Sequence, residues 1–192
     1  MIPLLSVTGQ ALRLPLANVD TDQLIPARFM KEPRKPLGYG RFLLHDLVSD
    51  GTAPAPREGQ SILIARRNFG CGSSREAAVY ALADQGFRVV IAPSFGDIFA
   101  SNCVKNGILP ATVSERDAEA LLSAADVPVT VDLESCRILA GNLVAEFAID
   151  PVWRTQLLNG WDDIDLTLAE ADAIAAFVAR DAAARPWAAP RR

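Results

Sequence analysis

The sequence predicts an α/β fold: a mixed, partly parallel central sheet flanked by helices, completed by an antiparallel C-terminal meander. Two observations carry that prediction. From Ser61 to about residue 125, short apolar runs alternate with helix-period segments, the pattern of parallel strands joined by crossover helices. From Val129 onward the period drops to two, with a turn signal at Gly141-Asn142. Composition sets the scale. A chain of 192 residues, 50% hydrophobic and 22% charged, suits one well-cored globular domain spanning 1–192.

The elements follow in order. Leu4 to Val7 and Ala11 to Leu14 alternate around Gly9, which predicts a short hairpin. Asn18-Val19-Asp20-Thr21-Asp22 is a dense cluster of turn-forming and acidic side chains that ends at Pro26. Residues 31–40 read as a loop, Gly40 to Val48 as a short helix carrying His45, and Asp50 to Gly59 as a second loop. Strand 61–66 leads through a glycine-rich turn into helix 75–85, stopped by Gly86. Strand Arg88–Ala92 ends at Pro93, and a helix over about 95–105 starts with Ser94 as its cap. A short strand at Ile108-Leu109 precedes a helix from Ser114 to about Ala125. The meander takes Val129–Leu133, Arg137–Leu139 and Leu143–Ile149. Helices over Pro151–Leu158 and Leu168 to about Ala184 finish the chain, and the Pro-rich tail 185–192 is expected to fray.

The turn between strand 61–66 and helix 75–85 reads Arg67-Asn68-Phe69-Gly70-Cys71-Gly72-Ser73-Ser74-Arg75-Glu76. A strand, a tight turn and a helix N-terminus form an anion site, because unpaired N–H groups and the helix dipole converge there. Two serine hydroxyls and a guanidinium occupy the same turn, which suits a carboxylate or phosphate with a hydroxyl beside it. The plainer alternative makes Ser73 or Ser74 an N-cap and Arg75 a solvated residue. A cation in the first turn works against the dipole, and that mismatch favours a ligand. The Gly-Lys-Ser/Thr ending of a nucleotide loop is missing, and no third glycine opens the helix as a dinucleotide fingerprint requires.

Composition removes other classes. Net charge is −4 and no cluster of lysine and arginine stands out beyond the short tail Arg191-Arg192, which argues against nucleic acid as a partner. No apolar run approaches the roughly 20 residues that span a bilayer, and the N-terminus lacks a signal peptide's basic region, so a cytoplasmic location is expected. Cys71, Cys103 and Cys136 lie more than thirty residues apart, a spacing that fits neither a disulfide framework nor a self-contained metal site. His45 is the only histidine, so no Ser–His–Asp relay is available. Any acid–base chemistry uses other groups, or another chain supplies them.

The stretch from Asn68 to Pro110, with its Gly-Ser-Ser-Arg-Glu turn and downstream Ser-Phe-Gly-Asp-Ile-Phe, resembles the small subunit of 3-isopropylmalate dehydratase, the swivelling β/β/α domain of the aconitase family. Asn18 to Pro26 resembles the family's second motif, and Leu166-Thr167-Leu168 with Asp172 to Ala176 its C-terminal helix, so the likeness covers nearly the whole chain. The resemblance implies a hydro-lyase of leucine biosynthesis, active as a heterodimer with a large subunit that carries a 4Fe-4S cluster. It implies a small dicarboxylic acid substrate, interconverted between 2-isopropylmalate and 3-isopropylmalate by loss and return of water. Ser73 matches the serine that takes the C–H proton as an alkoxide. Arg75 matches the arginine that grips a substrate carboxylate, and Ser74 would add a hydrogen bond. Asp22 matches an active-site aspartate that orients a group on the partner, and Thr21 belongs to the same supporting loop. None of the cysteines is expected to ligate metal: Cys71 reads as a packing residue, Cys103 and Cys136 as core residues in a helix and a strand.

The sequence departs from the family at Ala77, where histidine usually follows Arg-Glu. The specificity loop is expected within 31–46, where Leu37, Tyr39 or Phe42 would face a branched apolar arm and Arg41 a third carboxylate. Two alternatives accompany this reading: a related dehydratase acting on 2-methylmalate, citraconate or a homoaconitate-type acid, and a non-catalytic anion-binding swivel module.

Overall fold

The computed structural model describes residues 1–124 and 126–188. Strands β1 (Ser6–Leu14), β2 (Gln60–Ala65), β3 (Val89–Ala92), β4 (Leu109–Thr112), β5 (Val129–Asp132), β6 (Arg137–Ala140) and β7 (Leu143–Glu146) form one mixed sheet in the order β4-β3-β2-β1-β5-β6-β7. The β1–β4 half is parallel and the β5–β7 half antiparallel. Beyond β7 the chain turns back to β4: Thr112 N–H donates to Ala148 O at 3.1 Å and Ala148 N–H to Thr112 O at 2.7 Å. The two edges of the sheet therefore meet, and the sheet curls on itself.

The expected hairpin around Gly9 does not form. β1 is a single strand whose first half pairs antiparallel with β5 and whose second half pairs parallel with β2, with an irregularity between Gln10 and Ala11. Gly9 serves a close approach instead of a turn, since a Cβ there would fall 2.1 Å from Ser61 Oγ. The one strand that belongs to both halves thus joins them.

The helices are α1 (Thr21–Leu24), α2 (His45–Ser49), α3 (Glu76–Gln85), α4 (Asp97–Lys105), α5 (Glu115–Ser123), α6 (Pro151–Asn159), α7 (Asp163–Ala169) and α8 (Ala171–Ala184). Successive residues of a strand face opposite sides of the sheet, and the cores divide accordingly. Leu63, Ala65, Val90 and Ala92 join a core with Ala78, Leu82, Phe99 and Cys103 of α3 and α4. Ile62, Ile64, Val89 and Ile91 face the other way, with Ala118 and Leu121 of α5 and Val131 and Ile138 of the meander. Strands buried on both faces read as unbroken apolar runs, as β2 and β3 do.

Several boundaries differ from expectation. The stretch 40–48 is a 3-10 turn, Gly40–Phe42, then α2, separated by Leu44 at φ +56°. Asp20 caps α1 through a box with Gln23, so part of the acidic turn cluster is helical. The last helix divides at Glu170 into α7 and α8. In the tail, Pro186–Ala188 form a 3-10 turn; Ala125 and residues 189–192 lie outside the described residues.

Candidate active site

In the parallel half the C-terminal ends of β1, β2 and β3 lie side by side, and the loops that leave them converge. Backbone hydrogen bonds sew these loops together. Asn18 N–H donates to Arg67 O at 2.9 Å, Gly70 N–H to Val19 O at 2.7 Å, and Thr21 N–H to Cys71 O at 3.0 Å. On the other side Phe69 N–H donates to Ser94 O at 3.0 Å and Gly96 N–H to Phe69 O at 2.9 Å. The serine loop is therefore held like an extra strand between the loops that follow β1 and β3.

Two features of the sequence make this possible. Asn18 and Asn68 both adopt left-handed backbone, at φ +57° and +58°, a conformation asparagine tolerates. Their side chains then meet, Asn68 Nδ2 donating to Asn18 Oδ1 at 2.9 Å. Gly70 sits at φ +71° against the Phe99 ring, which a Cβ would approach to 2.1 Å. Ser94 does not cap α4 as expected: its Oγ accepts Asn68 N–H at 2.8 Å, and Gly96 takes the N-cap position. Sequence reasoning gave Asn18 and Asn68 no role of their own and read Ser94 only as a helix cap, although Asn residues flanking the two turn clusters were the available signal.

Neither Ser73 nor Ser74 caps α3. The N-cap position belongs to Arg75, and no side chain accepts from the first turn. The serine hydroxyls are thus not spent on capping, and the N-terminal N–H groups of α3 stay available to an anion. Ser73 is exposed, with its Oγ 3.0 Å from Thr21 Oγ1 and its N–H directed at the same oxygen at 3.3 Å. Ser74 is exposed beside it. A cavity of about 190 Å³ opens next to Ser73 towards Gly96 and the start of α4.

Arg75 forms an ion pair with Asp22. The hydrogen bond from Arg75 holds the Asp22 carboxyl below the ordinary carboxylate value, and the same bond raises Arg75. Asp22 Oδ1 also accepts Ala27 N–H at 3.3 Å. The structure thus brings Ser73, Ser74, Arg75, Thr21 and Asp22 to one place. Within this chain Asp22 orients Arg75.

The remaining candidates lie elsewhere. His45 packs against Phe29 with the rings tilted by 57° and 4.7 Å between centroids, and its Nδ1 lies 3.0 Å from Asp46. Hydrogen bonds from Arg28 and then His45 lower the Asp46 carboxyl to about 2. In the 31–46 loop, Phe42 stacks on Phe29 at 4.2 Å, Arg41 lies over Phe42 at 4.5 Å, and Tyr39 donates its hydroxyl hydrogen to Glu32 O at 3.1 Å. Leu37 is left 70% exposed. Ala77 packs half-buried against the α3–α4 core.

Cys103 is buried in that core, and burial pushes its thiol well up. Cys71 is half-buried in the serine loop with Sγ 3.5 Å from Asn18 O. Cys136 is not in the strand but in the turn before β6, half-buried at φ +53°. Among the described residues no group of three or more His, Cys, Asp or Glu could hold a metal ion.

Two family signatures match: the aconitase C-terminal domain over residues 47–116, and the C-terminal domain of the 3-isopropylmalate dehydratase small subunit over 163–191. The 3-isopropylmalate dehydratase small subunit of Rhodospirillum centenum is 46% identical over 95% of this chain and 96% of that protein. The chain belongs to the 3-isopropylmalate dehydratase small-subunit family. The family member from Bacillus subtilis is 46% identical over 92% of this chain and 95% of its own length. The fold is shared with the crystal structure of 3-isopropylmalate dehydratase from Methanocaldococcus jannaschii, with a TM-score of 0.65, 24% identity, and coverage of 89% of this chain and 98% of that one. The serine loop and the start of α4 fall inside the first signature, and α7 and α8 inside the second.

Proposed function

We propose that this chain is the small subunit of a heteromeric hydro-lyase that interconverts 2-isopropylmalate and 3-isopropylmalate in leucine biosynthesis. The observation that carries the reading is the Ser73–Ser74–Arg75 turn, with two exposed serines that do not cap the helix beginning beside them and a guanidinium one residue on. Residues 1–192 work as one swivel domain, because both cores share a single sheet.

Each residue has a role its geometry suits. Ser73 Oγ takes the proton from carbon, and the N–H groups at the start of α3 favour its negative charge. Arg75 offers a planar fork to a carboxylate of the diacid, and Ser74 adds a hydrogen bond. Thr21 and Asp22 form the supporting loop. In the free chain Asp22 occupies Arg75, so an incoming substrate carboxylate takes over that partner.

The chain's own side chains do not fit an iron–sulfur cluster, since its three cysteines sit in the core, the serine loop and the β5–β6 turn. The aconitase family implies an iron–sulfur enzyme, and we assign the cluster to the large subunit. Ser73 is exposed in this chain, so closure of a partner over the loop is what would exclude water. Three free thiols suit a reducing compartment, which supports a cytoplasmic location.

The test is turnover by this chain co-purified anaerobically with its large subunit, assayed in parallel on isopropylmalate, citraconate and citrate-type acids. Preference for isopropylmalate is expected. Preference for another acid would keep the chemistry and move the substrate. A stable complex inert on all three would overturn catalysis.

A further inference from the structure

A serine hydroxyl holds its proton far above neutral pH, so a base at Ser73 needs fixed groups that favour the alkoxide. Arg75, the cation of the same turn, is paired with Asp22 in the free chain. The hydroxyl of Thr21 is the polar group closest to Ser73 Oγ in the described hydrogen-bond network. We propose that Thr21 donates its hydroxyl hydrogen to Ser73 Oγ and thereby holds the serine as a proton acceptor, an inference that rests on the base assignment above.

Proton counting and burial together give the direction of the bond. A threonine oxygen carries one hydrogen and two lone pairs. The Ser73 N–H can only donate, so at 3.3 Å it takes a lone pair of Thr21 Oγ1. Between the two hydroxyls, 3.0 Å apart, distance alone permits either donor. Burial decides. Thr21 is 2% exposed, so its hydrogen has no access to water, and a buried donor left unpaired is costly. Ser73 is exposed and can turn its own hydrogen to solvent or to a bound substrate. The favourable arrangement has Thr21 donating and Ser73 accepting.

The donor is also held rigidly. Thr21 opens α1 behind the Asp20–Gln23 capping box, and its N–H is tied to Cys71 O at 3.0 Å. Its β-branched side chain has restricted χ1 freedom. Backbone and hydroxyl of Thr21 therefore clasp the serine loop at both Cys71 and Ser73. When Ser73 gives up its proton the Thr21 hydrogen remains, and the bond becomes charge-assisted and stronger. In the reaction the substrate's C–H proton passes to the Ser73 oxygen, the electron pair stays on carbon, and Thr21 keeps its hydrogen throughout. Thr21 is a positioning residue.

The test is Thr21→Val, which replaces the hydroxyl by a methyl at nearly constant shape, in the complex with the large subunit. Expected is a kcat on 2-isopropylmalate lower by about ten- to a hundredfold, the worth of a charge-assisted hydrogen bond, with KM nearly unchanged. The acid limb of the kcat profile should move up by about one pH unit, because the serine loses its stabilising donor. Thr21→Ser, which keeps the hydroxyl, should restore both rate and profile. If Thr21→Val does not assemble, Thr21→Ala carries the same expectation. A hydroxyl-less variant whose pH profile superimposes on the parent, or a Thr21→Ser variant as impaired as Thr21→Val, overturns the proposal. Ser73→Ala measured alongside separates the two levels. Retained turnover there sinks the base assignment itself; an inactive Ser73→Ala beside an unaffected Thr21→Val sinks only the role of Thr21.

Discussion

The serine loop and the C-terminal helices are held in opposite ways. The loop is polar and carries an exposed Ser73, yet its backbone is hydrogen-bonded to the loops after β1 and β3, and Phe69 beneath it is fully buried. Helix α8 is apolar, yet Ile174, Phe177 and Val178 are 44%, 52% and 59% exposed, and the helix has no buried residue. Its alanine-rich sequence sustains helix by propensity. Hydrophobic content therefore does not report which segment is fixed. Fixity comes from where the backbone's hydrogen bonds go, and it is greatest where the proposed chemistry needs accurate placement.

The contrast predicts that changes in the loop act on chemistry first. Ser73→Ala should lower turnover of the assembled enzyme by about a thousandfold, within the range of a lost general base, while stability falls by only about 1 kcal/mol as the buried Thr21 hydroxyl loses its partner. Steady-state kinetics and a thermal scan check both halves. Fast turnover would remove the functional side of the comparison. Gly70→Ala should act on both, since it forces left-handed backbone on alanine and drives a Cβ into Phe99, a core side chain. A loss of about 3 kcal/mol in urea unfolding is expected, with activity falling alongside.

The alternation of β2, α3, β3, α4 and β4 was legible because strands buried on both faces are continuous apolar runs and the helices end at Gly86 and Gly107. The turn from Gly70 to Arg75 stood out in the sequence as a candidate site because a cation in the first turn conflicts with the helix dipole, and the structure shows that neither Ser73 nor Ser74 caps α3. What was hidden is long-range. Gly9 has the composition of a turn and the function of a close contact with Ser61, 52 positions away, so only tertiary structure distinguishes them. The Asn18–Asn68 pair and the diversion of Ser94 from capping likewise depend on strands β1, β2 and β3 ending together. The resemblance to a family led to Thr21 and Asp22; nothing local in the sequence said that one would meet Ser73 and the other Arg75.

The Asp22–Arg75 pair sharpens the comparison at smaller scale. Asp22's carboxyl is lowered in the folded chain, so the pair stabilises above the unfolded carboxylate value, and that contribution is lost as pH falls through the lowered value. The Asp22 side chain is 54% exposed, which screens the pair heavily. Asp22→Asn should cost under about 1 kcal/mol at pH 7. The gap from the parent chain should close in acid, below the ordinary carboxylate range. A gap that persists unchanged at acid pH would show that Asp22 supports the loop through its bond to Ala27 and not through charge.

The smallest effect belongs to α8. Phe177 is the largest side chain on that helix, and in most helices its loss would open a cavity costing about 3–5 kcal/mol. Here the ring is half in solvent, touched by Arg180 at 5.6 Å from the centroid. Phe177→Ala removes little buried surface and places a better helix former, so the two small terms oppose each other. Urea unfolding of the isolated chain should change by less than about 0.5 kcal/mol. A loss of several kcal/mol would mean that α8 packs on the body of the chain, and the contrast between a tethered polar loop and an untethered apolar helix would no longer hold.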